Sequence, residues 1–265
     1  MIQRRSLRMG FQEAIAVAMV SAAHVIVARE MRRPRTAPPP ATVRRFQRLL
    51  LAWYRANGRK LPWRRTRDPY RILVSEIMLQ QTQVERVKGF YRRFVRQYPS
   101  FADLAAADEP QVREAWDGLG YYARARNLQR TARIVVDEHA GRLPTDAQVI
   151  RQLPGIGRYT AGAVLSIAYG QDEPILDTNA ARVLQRWFGV RPRGGKSALH
   201  RRLWDLAGRV TPAGAAGDFN QAIMDLGATI CQARRADCPA CPVRHGCATR
   251  PTTKDQGRRM KEDGP

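Results

Sequence analysis

All four cysteines of this 265-residue chain fall within one short segment, which makes them its sharpest chemical signal. Cys231 is followed after six residues by Cys238, after two more by Cys241 and after five more by Cys247. Disulfides would be expected to join distant parts of a secreted chain, so this clustering favours a metal site in a reducing compartment. Four thiolates in one loop suit a 4Fe-4S cluster or a tetrahedral zinc, and with His245 as a spare ligand the spacing alone leaves both open.

Two carboxylates stand where acid–base chemistry could use them. Glu76 lies in an apolar helical run, where burial would raise its pKa and let it donate a proton near neutral pH. The alternative is an exposed glutamate paired with an arginine. Asp177 precedes a predicted helix and is expected to be its N-cap, a position that keeps a carboxylate ionised, ready to stabilise a developing cation or to act as a nucleophile. Such a pair could divide the work at a glycosidic carbon, although the sequence alone does not bring the two together.

A tight turn built on Gly155 and Gly157 starts the helix that precedes Asp177. It reads Leu-Pro-Gly-Ile-Gly and is followed by Arg158 and Tyr159. Two glycines around one apolar residue let a hairpin expose consecutive backbone N–H groups at the positive end of the next helix, which suits a phosphate. An ordinary helix-ending glycine turn gives much the same string, so the pattern is only moderately specific.

Two further loops could contact a nucleic acid. Gln80, Gln81 and Thr82 place amides and a hydroxyl at the end of the helix that carries Glu76, where such groups can read base edges. The segment 118–122 uses its glycines to present one leucine and two tyrosines.

Apolar residues recur at helical spacing through most of the chain, and no stretch shows convincing strand alternation or an internal repeat. The predicted fold class is therefore all-α. Folded structure is predicted to begin near Thr42, and Asp68 followed by Pro69 opens the next helix. Further helices are predicted over 84–97, 101–107, 109–117, 123–139, 146–152, 178–188, 197–210 and 218–230.

The charge balance points to a polyanionic partner. Lysine and arginine number 46 against 23 acidic residues, which gives a net charge of +23 and a pI near 11.2. This surplus exceeds what solubility requires and favours DNA or RNA over an anionic membrane. The alternative is the arginine-rich composition that a GC-rich genome produces.

The N-terminal region is predicted to lie outside the folded part. No apolar run reaches the roughly 20 residues that span a bilayer. The apolar run that comes nearest to this length, 14–28, is preceded by three arginines and interrupted by His24. It could mimic a signal or transit peptide. We favour a dispensable extension or a misassigned start, and Met31 is the alternative first residue. Since 32–41 is basic and proline-rich, 1–41 is predicted to be a disordered extension.

Taken together, these motifs resemble those of the helix-hairpin-helix base-excision DNA glycosylases, which include endonuclease III, and most closely the MutY-type adenine glycosylases. The resemblance covers roughly residues 43–248, and its motifs follow the family's order, which makes it specific. Besides the hairpin and the cysteine run, it rests on the strings 61–63, 75–84, 118–127, 175–177, 219–222 and 224–227.

The resemblance implies two helical domains with DNA held between them. A six-helix barrel with the hairpin would span 65–168, an iron–sulfur domain would combine 42–64 with 169–250, and 251–265 would be a polar tail. The cysteine spacing is similar to that family's 4Fe-4S loop, which favours the cluster over zinc. The expected partner is double-stranded DNA with a mispair, without a membrane, and the chain is expected to be a monomer in the cytoplasm and nucleoid of a bacterial-type cell.

The same resemblance implies roles for individual residues. Glu76 matches the acid that protonates the leaving adenine, and Asp177 matches the carboxylate that stabilises the oxocarbenium-like sugar before water attacks. Tyr159 stands where lyase-type relatives carry a Schiff-base lysine, and because tyrosine cannot form that imine, a monofunctional glycosylase is implied. Asn179 completes the candidate catalytic set. The candidates for filling the gap left by an extruded base are Gln81, Thr82, Leu119 and Tyr121, and the other candidate DNA contacts are Gln80, Gly155, Gly157 and Arg158.

Two departures from the family pattern bear on specificity. Typical members continue into a Nudix-like domain that helps to recognise 8-oxoguanine, whereas about 18 polar residues follow Cys247 here, which leaves selectivity for the oxidised base open. Thr178 also precedes Asn179 where many members have glycine.

The predicted function is the removal of adenine mispaired with 8-oxoguanine or guanine in base excision repair. One alternative is thymine or uracil excision from mispairs with guanine, which short relatives with tyrosine at the hairpin perform. The strings 80–82 and 120–122 favour adenine. The other alternative is a non-catalytic DNA-binding relative, which the retention of Glu76 and Asp177 disfavours.

Overall fold

The computed structural model describes residues 38–249, and the predictions for 1–37 and 250–265 lie outside the described residues. Within 38–249 the chain is helical and forms no strand, apart from an isolated bridge between Cys231 and Ala236. The predicted all-α class is confirmed. No helix in this part of the chain is long and apolar enough to cross a membrane.

Eleven α-helices and two 3-10 turns make up the described part of the chain. In order they are α1 (Pro40–Asn57), a 3-10 turn (Pro62–Arg65), α2 (Pro69–Leu79), α3 (Val84–Gln97), α4 (Phe101–Ala106), α5 (Glu109–Ala115), α6 (Ala123–Glu138), α7 (Ala147–Ile150), α8 (Arg158–Ala168), α9 (Thr178–Trp187), α10 (Gly195–Val210), α11 (Ala216–Thr229) and a second 3-10 turn (Arg244–Gly246).

Short polar side chains begin several of these helices, as the sequence predicted. The side chain of Asp68 accepts hydrogen bonds from the backbone N–H groups of Tyr70 and Arg71, with Pro69 in the first helical position. Asp177 caps α9 in the same way by accepting from the N–H of Ala180. These caps satisfy N–H groups that have no acceptor inside their own helix.

Three predicted helix starts are corrected by two or more residues. Helix α1 begins at Pro40, so Thr42 lies in its first turn and does not cap it. Helix α10 begins at Gly195, after a left-handed Gly194 that turns the chain into it. Helix α11 begins at Ala216, which is buried, so packing rather than a capping side chain sets its start.

The buried side chains form two clusters. The first is built from α2 to α8 and contains the largest fully buried side chain, Trp116. The second joins α1 to α9, α10 and α11 around Phe46, whose ring packs 4.6 Å from that of Trp187 and 6.0 Å from that of Phe219. Whether the two clusters correspond to the separate domains expected over 65–168 and over 42–64 with 169–250 stays a prediction.

Helix α8 contributes to both clusters. Ala161, Val164 and Leu165 belong to the first and Ala163 to the second. A Cβ at Gly162 would lie 2.4 Å from the carbonyl oxygen of Pro174, so only glycine lets the segment leading to Asp177 pack directly on α8. This close approach brings Asp177 near the N-terminal turn of α8.

Candidate active site

Glu76 lies on α2 with its side chain buried, only 4% of the residue being exposed. Burial raises the pKa of its carboxyl to about 7; a hydrogen bond from Tyr159 and the charge of Arg64 lower the pKa, while the nearby charge of Asp177 raises it. The exposed, arginine-paired alternative is wrong for this residue. Glu76 can therefore hold a proton near neutral pH, as the sequence predicted.

Tyr159 sits in the first turn of α8 and points at Glu76. Its hydroxyl donates to Glu76 Oε2 at 2.9 Å and lies 3.3 Å from the sulfur of Met224 on α11. Burial, followed by the negative charge of Glu76, raises the pKa of this phenol well above its usual value. The tyrosine therefore stays a hydrogen-bond donor.

Asp177 is held by both of its carboxylate oxygens. Oδ1 accepts from the N–H of Ala180 at 2.7 Å, and Oδ2 accepts from the side-chain amide of Asn179 at 2.9 Å. Asn179 is itself fixed by Arg182, whose guanidinium donates to Asn179 Oδ1 at 2.8 Å. A Cβ at Gly227 would lie 2.7 Å from that of Asn179, so this glycine lets α11 pack closely against the start of α9. The charge of Asp177 acts on both Glu76 and Tyr159, so the fold brings the two predicted carboxylates into electrostatic contact.

A small cavity of about 50 Å³ opens beside Glu76 and Tyr159. Its wall includes residues whose role the sequence reasoning did not identify, namely Arg59, Leu61, Trp63, Arg64, Gln221 and Met224. They come from the motif strings 61–63, 219–222 and 224–227 and from their neighbours, which no local sequence pattern joins into one surface. A larger cavity of about 490 Å³ lies elsewhere against Tyr70 and Tyr169 and contains none of the predicted catalytic residues.

One fully buried carboxylate organises the wall of this cavity. Asp225 on α11 accepts from Arg64 Nη1 at 2.6 Å and from Arg64 Nη2 at 2.9 Å. It also accepts from Arg59, through Nε at 2.6 Å and through the backbone N–H at 3.0 Å. Burial opposes the ionisation of Asp225, yet the hydrogen bonds and charges of the two arginines outweigh it and hold its pKa below the usual range. Asp225 thus fixes both arginines beside Glu76.

The glycine hairpin lies at the start of α8 and ends two residues before Tyr159. Gly155 has a φ of 79°, in the left-handed region that favours glycine, and Ile156 anchors the turn in the first cluster. Gly157 has a φ of −86° and is exposed, and a Cβ there would meet no atom within 4 Å. The guanidinium of Arg158 stacks over Trp204, 3.9 Å from the ring centroid. The turn therefore presents an open backbone surface beside a positioned cation.

The two predicted reading loops lie against each other. Gln81 is exposed with a φ of 56°, and Tyr121 is 59% exposed with a φ of 52°. Gln80 turns back toward α8, where its amide lies 3.4 Å from the hydroxyl of Thr160. Leu119, expected beside Tyr121 as a candidate for DNA contact, is only 4% exposed, because its side chain packs into the first cluster.

The four cysteines lie in the loop that follows α11, and α9 anchors this loop. Arg186 approaches Cys231 Sγ to 3.5 Å, and the indole N–H of Trp187 donates to the carbonyl oxygen of Val243 at 2.8 Å. Asp177 caps the start of α9, so one helix links the candidate catalytic carboxylate to the cysteine loop.

The four thiols lie in one loop, where burial and neighbouring thiols affect their ionisation. Burial and the neighbouring cysteines raise the pKa of Cys238, and burial raises that of Cys241 to about 11. The described residues contain no group of three or more His, Cys, Asp or Glu side chains that could hold one metal ion. Four cysteines in one loop are nevertheless consistent with an iron–sulfur cluster, in which each thiolate binds a different iron.

An all-helical chain with a glycine hairpin beside a buried, protonatable carboxyl and a second carboxylate at a helix N-terminus falls in the helix-hairpin-helix class of DNA repair proteins. Residues 74–209 match the family described as HhH-GPD superfamily base excision DNA repair protein. The chain belongs to this family.

Its relatives include proteins named for two different bases. It is 44% identical over 219 residues to the adenine DNA glycosylase of Homo sapiens, a match that covers 79% of this chain and 40% of the human protein. It is 35% identical over 207 residues to the thymine/uracil-DNA glycosylase of Methanothermobacter thermautotrophicus, covering 77% of this chain and 92% of that protein. The chain therefore spans less than half the length of the human relative.

The fold also resembles solved structures. The structure of a thermostable thymine-DNA glycosylase superposes with a TM-score of 0.73 at 34% identity, covering 79% of this chain and 96% of the other.

Proposed function

We propose that this protein is a monofunctional DNA glycosylase that hydrolyses the N-glycosidic bond of adenine mispaired with 8-oxoguanine or guanine, as a step of base excision repair. The observation that carries the proposal is the placement of a buried, protonatable Glu76 under the hydroxyl of Tyr159, with Asp177 in electrostatic contact. The 44% identity to a human adenine DNA glycosylase supports adenine as the base.

Glu76 and Asp177 are assigned different roles. Protonated Glu76 donates its proton to a ring nitrogen of adenine, so that the base can leave with the electron pair of the glycosidic bond. Asp177, held at the N-terminus of α9, stabilises the positive charge that develops on the sugar. Water then adds to the sugar carbon and loses a proton, which leaves an abasic site.

Tyr159 limits the chemistry to hydrolysis. A phenol cannot form an imine with the sugar, so no covalent Schiff base links protein to DNA at this position. Asn179 positions Asp177 through the hydrogen bond between its side-chain amide and Oδ2.

The residues that line the cavity beside Glu76 are proposed to contact the extruded base, and the cavity of about 50 Å³ must widen to admit it. Trp63, Leu61 and Met224 offer apolar and aromatic surface, while Arg59 and Gln221 offer polar groups for the edge of a purine. Extrusion costs a few kcal/mol of stacking and pairing, and a mispaired base costs least.

The DNA contacts are proposed to come from three loops. Gly155, Gly157 and Arg158 would hold a phosphate at the N-terminus of α8. Gln80, Gln81, Thr82 and Tyr121 would occupy the gap and contact the opposite base. Because Leu119 is buried, its side chain supports the loop, and the gap-filling role falls to Gln81 and Tyr121.

Cys231, Cys238, Cys241 and Cys247 are proposed to hold a 4Fe-4S cluster in a reducing cytoplasm. The cluster would supply a structural cross-link that fixes the loop after α11 against α9. Iron and acid-labile sulfide in about equal amounts, near four of each per chain, would support this assignment, whereas one zinc per chain would overturn it.

One observation favours a second candidate, the removal of thymine or uracil opposite guanine. The chain covers 92% of the thymine/uracil-DNA glycosylase it resembles, against 40% of the human adenine enzyme. The identity is lower, however, at 35% against 44%.

Single-turnover reactions on four duplexes separate the two candidates. The duplexes carry adenine opposite 8-oxoguanine, adenine opposite guanine, thymine opposite guanine and uracil opposite guanine, and abasic sites are cleaved with alkali. Breaks at adenine are expected. Breaks only at thymine or uracil would establish the second candidate, and D177N, purified alongside, controls for contaminating glycosylases.

A further inference from the structure

Arg124, in the first turn of α6, reaches the loop that ends α2. Its Nη1 donates to the carbonyl oxygens of Ile77 at 3.0 Å, of Met78 at 2.9 Å and of Gln80. These carbonyls lie at the C-terminal end of α2, where that of Ile77 also accepts from the backbone N–H of Gln80 and most others need donors from elsewhere. One nitrogen of the guanidinium therefore closes the end of α2, next to Gln81.

The other terminal nitrogen of Arg124 reaches the second loop. Nη2 donates to the carbonyl oxygen of Gly120 at 3.0 Å and more weakly to that of Leu119 at 3.4 Å. It also donates to the hydroxyl of Thr82 at 3.0 Å, which belongs to the first loop. A single planar fork thus joins the 80–82 loop to the 118–122 loop.

The faces of the same guanidinium are covered by aromatic rings. Its central carbon lies 5.6 Å from the ring centroid of Trp116 and 5.3 Å from that of Tyr121. Its Nε is buried without a hydrogen-bond partner, and within residues 38–249 no carboxylate forms a salt bridge with it. Because burial opposes the charge, the pKa of Arg124 is lowered. The partly buried cation is thus held by neutral groups alone, in the same contacts that join the two loops.

Each joined loop contains a residue with strained backbone. Gln81 and Tyr121 have φ values of 56° and 52°, and among the described non-glycine residues only Ala140 shares this left-handed region. Such conformations cost free energy and persist when surrounding contacts enforce them. Here Arg124 contacts the residues on both sides of Gln81 and the ring and preceding carbonyl of Tyr121.

We propose that Arg124 is a positioning residue that joins the two loops into one DNA-reading surface, so that Gln81 and Tyr121 engage the mispair cooperatively and not independently. The proposal rests on the proposed function only in that the ligand is DNA with an extruded base. It requires the geometry of arginine, since lysine would keep the charge but could not bridge both loops with a planar fork.

A double-mutant cycle on binding tests this coupling. The variants Q81A, Y121A and Q81A/Y121A are compared for affinity to a duplex that carries a tetrahydrofuran abasic-site analogue opposite guanine. The same three changes are then made in R124K. The control background is R130K, since Arg130 is an exposed arginine further along α6. Thermal melting of each variant shows whether it is folded.

If the loops act cooperatively, the fold-loss of affinity in the double variant should be about ten times smaller than the product of the two single fold-losses. The reason is that either single change already uncouples the surface. R124K should bring the cycle to within about twofold of additivity, and R130K should leave the coupling intact. Additive losses in the unaltered Arg124 background, or coupling that survives in R124K, would overturn the proposal. Additive losses in the unaltered background can be measured even if no Arg124 variant folds. Failure of adenine excision with coupling intact would refute the proposed substrate and leave the role of Arg124 standing.

Discussion

The hydroxyl of Tyr159 donates to Glu76 Oε2 at 2.9 Å, which joins the start of α8 to the middle of α2. One carboxyl oxygen is thereby assigned to the tyrosine, and Oε1 is left to carry the proton. The hydrogen bond favours the ionised carboxylate, but burial opposes ionisation more strongly. The balance is a group that both holds and releases a proton near neutral pH.

Replacing Tyr159 with phenylalanine should make Glu76 a weaker acid. Loss of the donor removes a contribution that lowers the pKa of Glu76, so the descending limb of the pH profile of excision should move to higher pH. The rate at low pH should fall several-fold, because the carboxyl loses its orienting partner. Single-turnover rates across the pH range measure both effects. Y169F is the matched control, since the hydroxyl of Tyr169 bonds to the carbonyl oxygen of Leu143, away from this site.

Glu76 should also make folding stability depend on pH. Its pKa is about 7 in the folded protein against 4.5 for the free group, so the folded state binds the proton more tightly. Stability should therefore decline as pH rises from 4.5 through 7, by roughly 3 kcal/mol for this group. E76Q lacks this titration. Its free energy of unfolding relative to the wild type, measured in urea, should therefore rise between pH 4.5 and 7. A constant difference would mean that Glu76 titrates normally.

Asp177 should be essential for chemistry but replaceable as a cap. Asparagine caps helices about as well as aspartate, so D177N should change the free energy of unfolding by less than about 1 kcal/mol. Excision should fall on the order of 100-fold or more, because the neutral amide cannot stabilise the developing cation. Affinity for a duplex with an adenine mispair should stay within a few-fold of wild type. Loss of affinity as large as the loss of rate would reduce Asp177 to a structural cap.

Asp225 should matter more for stability than any surface ion pair. D225N leaves the buried side of Arg64 and Arg59 without a counter-charge, which should cost about 3 to 5 kcal/mol. E85Q, which breaks the exposed pair between Glu85 and Lys88, should cost less than about 1 kcal/mol. Urea unfolding of both variants at one pH makes the comparison. Equal small effects would show that the buried network is not needed to hold the wall of the cavity.

Much of the helical fold and the chemical groups could be predicted, because they depend on local signals. Asp68 and Asp177 cap their helices as short polar residues do, and the apolar surroundings of Glu76 indicated its burial. Partners that are distant in sequence could not be predicted. Arg64 and Asp225 are 161 residues apart, and nothing in either local string specifies the pairing.

The two loops illustrate the same limit. Leu119 and Tyr121 lie two residues apart in one glycine-rich string, yet one is buried and the other exposed. Which one faces outward is decided by Trp116 and Arg124, which fix the backbone of the loop through contacts with the carbonyl oxygens of Leu119 and Gly120. These contacts cannot be predicted from the local sequence.

The pH dependence of adenine release tests the central claim most directly. Wild-type protein and E76Q are each mixed in excess with a duplex carrying adenine opposite 8-oxoguanine, and single-turnover rates are measured from about pH 5 to 9. If Glu76 is the proton donor, the wild-type rate falls as pH rises above about 7, where its carboxyl ionises, and E76Q releases no adenine at any pH. A wild-type rate that is flat across this range, or substantial release by E76Q, would contradict the assignment of Glu76 as the acid.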